Sequence, residues 1–193
     1  KPLAEHHNPY LGLAGEAGAE EDLAPAPAGK TIAIVGAGPA GSEAAWVAAA
    51  RGHRVTLFGA SQRAGGKLRL ESELPGRADM AKLVNYQMHM CDRHGVHFSL
   101  GQQAGAGDVL ALDPDAIVLA TGASLRRPMN LEAAADPVMD AIAYVRENAG
   151  HEGNRGATAV LFDQDHGPAT YGLADLLARQ FDKLILITPR PGI

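Results

Sequence analysis

Short, nearly unbroken apolar runs alternate along the chain with longer stretches of helical period, a pattern that predicts parallel strands joined by helices. Thr31 to Val35 is the first apolar run, Gly36 to Gly41 a glycine loop, and Ser42 to Arg51 an Ala-rich helix. Arg54 to Phe58 follows Gly52 as the second strand, completing a βαβ unit that the right-handed crossover rule makes parallel. Met80, Leu83, Val84, Met88 and Cys91 recur at three- and four-residue steps and predict a helix from Pro75 to His94, stopped by Gly95. Val96 to Leu100 reads as a strand and Asp108 to Leu112 as a turn or two of helix. Ala116 to Ala120 reads as an apolar strand running into Thr121 and Gly122.

A second cycle follows. Asp136 and Pro137 read as N-cap and first residue of a helix over Val138 to Asn148, with Met139, Ile142 and Val145 on one face. Ala157 to Phe162 is then a strand, Tyr171 to Gln180 a helix and Lys183 to Thr188 a strand. Two strands and one helix are too few to close a sheet, so this second domain is expected to be incomplete. Residues 1–29 carry neither period and end in an Ala-Pro alternation, a lead-in and linker. With Lys1 in place of Met, they suggest removal of something upstream. The expected fold class is α/β: a doubly wound Rossmann-like parallel sheet over 30–128, then a truncated nucleotide-binding-like βαβ domain over 129–193.

Composition narrows the chemistry mainly by exclusion. Among 193 residues there is one cysteine, Cys91, which rules out an internal disulfide and any multi-thiolate zinc or iron–sulfur site of this chain. The net charge of −5 gives no reason to expect nucleic acid or an anionic membrane as partner. No apolar run approaches the roughly 20 residues of a membrane span, and no signal segment opens the chain, so a cytoplasmic protein is expected. His6 and His7 lack further ligands at suitable spacing for a metal, and His94, His97 and His151 read as surface. Cys91 falls on the apolar face of its helix as a core thiol. Trp46 reads either as core or as a contact for a further domain.

The strongest local signal is Gly36-Ala37-Gly38-Pro39-Ala40-Gly41, a GxGxxG where a strand turns into a helix. Gly36 permits the turn, Gly38 lets backbone approach a pyrophosphate, and Gly41 lets helix pack on strand, with the helix N-terminus facing the phosphates. Strand, helix and return strand have the required lengths, so an ADP-containing ligand is expected. Gly65-Gly66 and Thr121-Gly122 would bring further bare backbone to the carboxyl edge of the sheet.

These motifs, in this order, resemble the FAD/NAD(P)-linked reductases. The stretches GAGPAGSEAA, RGHRVTLF, GGKL, PGR and DAIVLATGA are similar to the C-terminal nucleotide-binding region of the trimethylamine dehydrogenase and 2,4-dienoyl-CoA reductase family, the NADH:flavin oxidoreductases. The likeness extends from His7-Asn8-Pro9 to the end of the chain. It implies FAD or ADP held by Gly36, Gly38, Pro39, Ala40, Gly41, Gly59, Ser61, Gly65, Gly66, Lys67, Thr121 and Gly122. It also implies an N-terminal (β/α)8 barrel with FMN and a 4Fe-4S cluster upstream of Lys1, and an electron-transferring flavoprotein as a partner. No residue of this chain is then catalytic.

Two departures from the family pattern bear on the ligand. The carboxylate expected at the end of the second strand, which takes the adenosine ribose hydroxyls, is replaced by Gly59. Ser61 or Gln62 would supply a neutral hydrogen bond instead, and Arg63 reads as a 2′-phosphate contact or a solvated charge. In the second cycle, Asp163 and Asp165 occupy the loop before Tyr171, where they would face and repel a pyrophosphate, so NAD(P) is not expected there. The resulting expectation is an ADP- or FAD-binding portion of an amine dehydrogenase or N-demethylase type of flavoenzyme. An enoate or dienoyl-CoA reductase with FAD and NAD(P)H, and a non-catalytic structural nucleotide-binding module, remain as alternatives.

Overall fold

The structure, a computed structural model, describes residues 23–124, 138–151, 153–164 and 166–189. Its residues group into two compact units, the first formed by Lys1–Gly66 with Leu83–Gly122, the second by Lys67–Lys82 with Ala123–Ile193.

In the first unit the strands are β1 (Thr31–Val35), β2 (Arg54–Gly59), β3 (His97–Leu100) and β4 (Ala116–Leu119), all parallel in the order β3-β2-β1-β4. Helix α1 (Pro39–Ala50) joins β1 to β2, and α3 (Met80–Arg93, in this unit from Leu83 onward) and α4 (Ala106–Leu110) flank β3. Register decides which side chains share a face: Ile32 pairs with Val55 and Ile34 with Leu57. That face packs on Ala45 and Trp46 of α1 and on Met90 and Cys91 of α3. On the opposite face Ala33 and Phe58 meet Val109 of α4. Helices thus cover both faces, as a parallel sheet requires. The amide of Thr31 donates to Asp115 Oδ2 at 2.8 Å, while the Asp115 amide donates back to Thr31 O at 2.9 Å, which fixes where β4 enters beside β1.

The second unit contains α2 (Gly66–Ser72, from Lys67 onward), α5 (Ala141–Asn148), β5 (Thr158–Phe162), α6 (Pro168–Gln180) and β6 (Lys183–Ile187), with β5 and β6 parallel. Its core is Leu74, Val145, Leu173, Leu176 and Leu177. Gln180 is buried among them with every polar atom engaged: Tyr144 Oη donates to its Oε1, and its Nε2 donates to the carbonyls of Asn148 and His151.

The element types follow the hydrophobic pattern, and the differences have local causes. The long helix begins at Met80 and not at Pro75, because Gly76 takes φ +72 and turns the chain. Helix α5 starts at Ala141, capped by Asp140 Oδ1 accepting from the Ala143 amide at 2.8 Å. The expected cap, Asp136 with Pro137, lies outside the described residues. Helices α1 and α6 start earlier than the pattern suggests, each with a proline as the first residue after a glycine N-cap. Strand β5 starts at Thr158 because Ala157 sits at φ +61, outside extended backbone. Helix α2 escapes the sequence pattern because the Gly65-Gly66 pair stands at its start. Trp46 is fully buried in the first core and is not a contact for another domain; His94, expected at the surface, is half-buried with its ring stacked on Trp46.

Cys91 is fully buried, as its position on the apolar face of α3 implies. Burial, with Glu43 adding to it, pushes the thiol up to about 11 against a partial offset from the Trp46 backbone. The thiolate is the reactive form, so Cys91 should not react with a thiol-specific disulfide reagent at pH 8 until the protein is denatured. Stoichiometric colour development in the native protein would contradict this burial.

Candidate functional site

The carboxyl ends of β1 and β4, the glycine loop and the start of α1 meet at one edge of the first sheet. Gly36 leaves β1 at φ +113, and its amide donates to the Phe58 carbonyl at 2.8 Å. A Cβ on Gly36 would lie 2.2 Å from the Ala120 carbonyl oxygen and 2.9 Å from the Thr121 nitrogen, so β4 closes directly over the turn. A Cβ on Gly41 would lie 1.9 Å from the Gly36 carbonyl oxygen, so the first turn of α1 sits against the end of β1. Gly38 is the opposite case. It caps α1 in extended backbone with no side-chain cap, and a Cβ there would meet nothing within 4 Å.

The first amides of α1 thus open onto space with no cap to occupy them, and the helix dipole adds positive potential at that point. Gly65 donates to the Ala37 carbonyl at 2.7 Å, and Gly66 packs so closely on Gly38 that a Cβ would lie 3.1 Å from the Gly38 Cα. The GG segment is therefore docked on the glycine loop and adds a second piece of bare backbone beside it. Thr121 and Gly122 are exposed at the end of β4, and Gly122 has φ +73. Ser61 is exposed, its carbonyl accepting from the Gly101 amide at 3.1 Å; Lys67 is exposed and its ammonium donates to the Ala123 carbonyl.

Two features are missing from the sequence reading. Gln87, buried on α3, donates through Nε2 to the Pro39 carbonyl at 3.0 Å and to Glu43 Oε2 at 2.9 Å, bracing the first turn of α1. Its signal was available, since a polar residue there interrupts the apolar stripe between Val84 and Cys91. The second feature is at Gly59, which is buried. A Cβ there would lie 2.7 Å from Leu100 Cδ2 and 2.8 Å from Ala37 Cβ. The glycine is thus occupied by its neighbours and is not simply a missing carboxylate.

In the second cycle the expectation for Asp163 needs correction. It does not face a phosphate position: its side chain is buried, its Oδ1 accepts from the His166 amide at 3.0 Å, and its Oδ2 lies 2.9 Å from His166 Nδ1. Asp165 lies outside the described residues. Burial pushes the Asp163 carboxyl up, but the His166 amide and ring and the Thr170 hydroxyl outweigh it and hold the group below the ordinary carboxylate range. A folded-state value below the unfolded one stabilises the protein above the unfolded value, and that contribution is lost as pH falls through the folded value. The stability difference between wild type and Asp163→Asn should be full at pH 7 and close below about pH 4, measured by urea unfolding across that range. A gap constant down to pH 2 would overturn the assignment.

Residues 30–159 match the family described as pyridine nucleotide-disulphide oxidoreductase, the glycine loop and all four strands of the first sheet included. The chain belongs to that family. The family's domain is of the kind that holds FAD or NAD(P). A relative is the probable N-methylproline demethylase of Rhizobium meliloti (strain 1021), 32% identical over 160 residues, which are 83% of this chain and 23% of that protein. The NADH oxidase of Thermoanaerobacter brockii is 39% identical over 110 residues, covering 57% of this chain and 17% of that protein. Among solved structures, histamine dehydrogenase from Rhizobium sp. 4-9 superposes with a TM-score of 0.71 at 29% identity, covering 86% of this chain and 25% of that one. The chain therefore spans about a quarter or less of the length of each of these three proteins. The family's name includes a disulphide, yet the one cysteine, Cys91, is buried, so dithiol chemistry is not available within these residues. Among the described residues no group of three or more His, Cys, Asp or Glu is placed to hold a metal, and no helix is long and apolar enough to cross a membrane.

Proposed function

We propose that the first unit binds the ADP portion of FAD, or ADP itself, through backbone alone. In this reading the whole protein is a flavin-dependent oxidoreductase of the amine dehydrogenase or N-demethylase type. The observation that carries it is the open space at Gly38 inside a loop whose other glycines are filled by packing. Amides at the start of α1 would hold the pyrophosphate, with Gly65-Gly66 and Thr121-Gly122 bordering it; Pro39 and Ala40 would shape the first turn, and Ser61 would lie at the rim. Gln87 keeps that turn in place through the Pro39 carbonyl. Bound FAD would supply reversible two-electron transfer, whereas ADP would be structural. An FMN barrel, a 4Fe-4S cluster and an electron-transferring flavoprotein as acceptor belong to the same reading, all outside these 193 residues. The domain division at 30–128 and 129–193 is part of it too. The names of the demethylase and histamine dehydrogenase relatives support amine chemistry.

The test is chromatography with mass detection of the nucleotide released on denaturing the full-length enzyme, together with calorimetric titration of ADP into wild type and Gly38→Val. The expected result is one adenine nucleotide per chain and no binding by the variant. A nucleotide-free enzyme, or normal binding by Gly38→Val, would overturn the site.

A further inference from the structure

Beside the apolar contacts between α1 and α3 in the first unit stands a polar one. Gln87 is 3% exposed, and both N–H bonds of its side-chain amide reach the start of α1, one to the Pro39 carbonyl at 3.0 Å and the other to Glu43 Oε2 at 2.9 Å. Stability alone does not call for such a buried pair, since apolar groups of the same shape can replace both partners at little cost. The charge of Glu43 gives it a purpose. Helical side chains lean towards the N-terminus of their helix, so this carboxylate lies back towards the first turn, where it shares the Gln87 amide with the Pro39 carbonyl. A carboxylate near a helix start is drawn by the same dipole and bare amides that draw a phosphate. Donors there are few. Pro39 has no N–H and the Ser42 amide is engaged with the Gly38 carbonyl at 2.9 Å, so any two anions at this end compete for the amides of Ala40 and Gly41 between them.

We propose that Glu43 is an internal rival of the pyrophosphate and that Gln87 is the positioning residue that restrains it, holding the carboxylate against α3 and leaving the amides at the start of α1 to the ligand. The proposal rests on the nucleotide reading above and adds to it a competing anion and the residue that keeps that anion in check. Glu43 stands one turn along the helix from Pro39, a rise of about 6 Å. That is within the Debye length of about 8 Å at physiological salt, so a released Glu43 side chain would repel a diphosphate with little screening. Gln87 thus acts on the ligand through Glu43, beyond bracing the Pro39 carbonyl.

The experiment is a double-mutant cycle in the full-length protein: wild type, Gln87→Met, Glu43→Gln and the double variant, each stripped of bound nucleotide and titrated calorimetrically with ADP at about 0.01 M and about 0.15 M salt. At the lower salt Gln87→Met should bind ADP about tenfold more weakly than wild type, and in the Glu43→Gln background the same substitution should cost less than about twofold. The loss should shrink at the higher salt. An equal, salt-independent loss in both backgrounds would leave Gln87 as a brace of the Pro39 carbonyl only, and no loss would remove it from the site altogether; either result overturns the proposal. If Gln87→Met does not fold, Gln87→Asn, which withdraws the amide by one methylene, takes its place in the cycle with the same expectations. The reading beneath fails separately: wild type that takes up no ADP at either salt refutes the nucleotide site and this proposal with it, whereas ADP binding without coupling between the two positions refutes only the restraint of Glu43.

Discussion

Gly41→Ala should unfold the first unit under conditions where wild type is folded, while Gly38→Ala should leave its melting temperature unchanged and weaken nucleotide binding. The two glycines stand three residues apart in one motif, and motif reasoning alone treats them alike. Their surroundings do not. At Gly41 the added carbon would lie 1.9 Å from a carbonyl oxygen and 3.1 Å from its carbon, both backbone atoms of Gly36, which cannot rotate away. Separating α1 from β1 to relieve this would open the core around Ile34, Ala45 and Trp46. Overpacking of this kind costs typically 1–3 kcal/mol and more where backbone must move, so a loss of about 3–5 kcal/mol is expected. At Gly38 the same carbon enters empty space. Its cost falls on whatever anion occupies that space, and ADP affinity should drop at least tenfold. Thermal unfolding and calorimetry on the same preparations decide the matter; equal effects of the two substitutions on stability would contradict the packing described.

Gly59→Glu, which from the sequence alone would restore a ribose-binding carboxylate and tighten ADP about tenfold, should instead lower stability and leave affinity no better. Leu100 Cδ2 can swing aside, but Ala37 Cβ is fixed to the loop that positions the first amides of α1. Pushing that loop misplaces the pyrophosphate contact for the sake of the ribose. Removing the obstructing methyl should separate the two effects. Against an Ala37→Gly background, Gly59→Glu should gain affinity, since charge-assisted hydrogen bonds of roughly 1.5–3 kcal/mol are then offset only by desolvation of the carboxylate. Titration of ADP into the four proteins of this cycle reads the coupling directly. A single Gly59→Glu variant that binds more tightly with an unchanged melting temperature would show that the loop yields easily.

The sequence made most strands and helices legible because most strands are short apolar runs bounded by turn residues, set between stretches of helical period. It also revealed the glycine loop, whose spacing is set by phosphate and helix together. What it concealed lies in tertiary contact. Gly59 is an absence when read along the chain and a packing solution when read against Ala37 and Leu100. Asp163 is a free negative charge in the sequence and an internal acceptor for His166 in the fold. Helix α5 starts at Ala141 because Asp140 supplies its N-cap there, a competing residue of the type expected to do so. In each case the residue type was read correctly, and its role was decided by a neighbour distant in sequence or by a competing residue of equal propensity.

The rim position of β4 has a consequence for how this protein is made. Ile117, Val118 and Leu119 are 44%, 36% and 75% exposed, and among the described residues only β1 is hydrogen-bonded to that strand. A bare apolar edge is a template for growth by any extended segment, including the same strand of another nascent chain. The hazard begins when Leu119 leaves the ribosome and lasts through the remainder of synthesis. At about 5–20 residues per second, every further 100 residues of synthesis prolong that interval by about 5–20 s. Slower initiation, which spaces the ribosomes on a message, should therefore raise the soluble yield more than slower elongation, which stretches the interval itself.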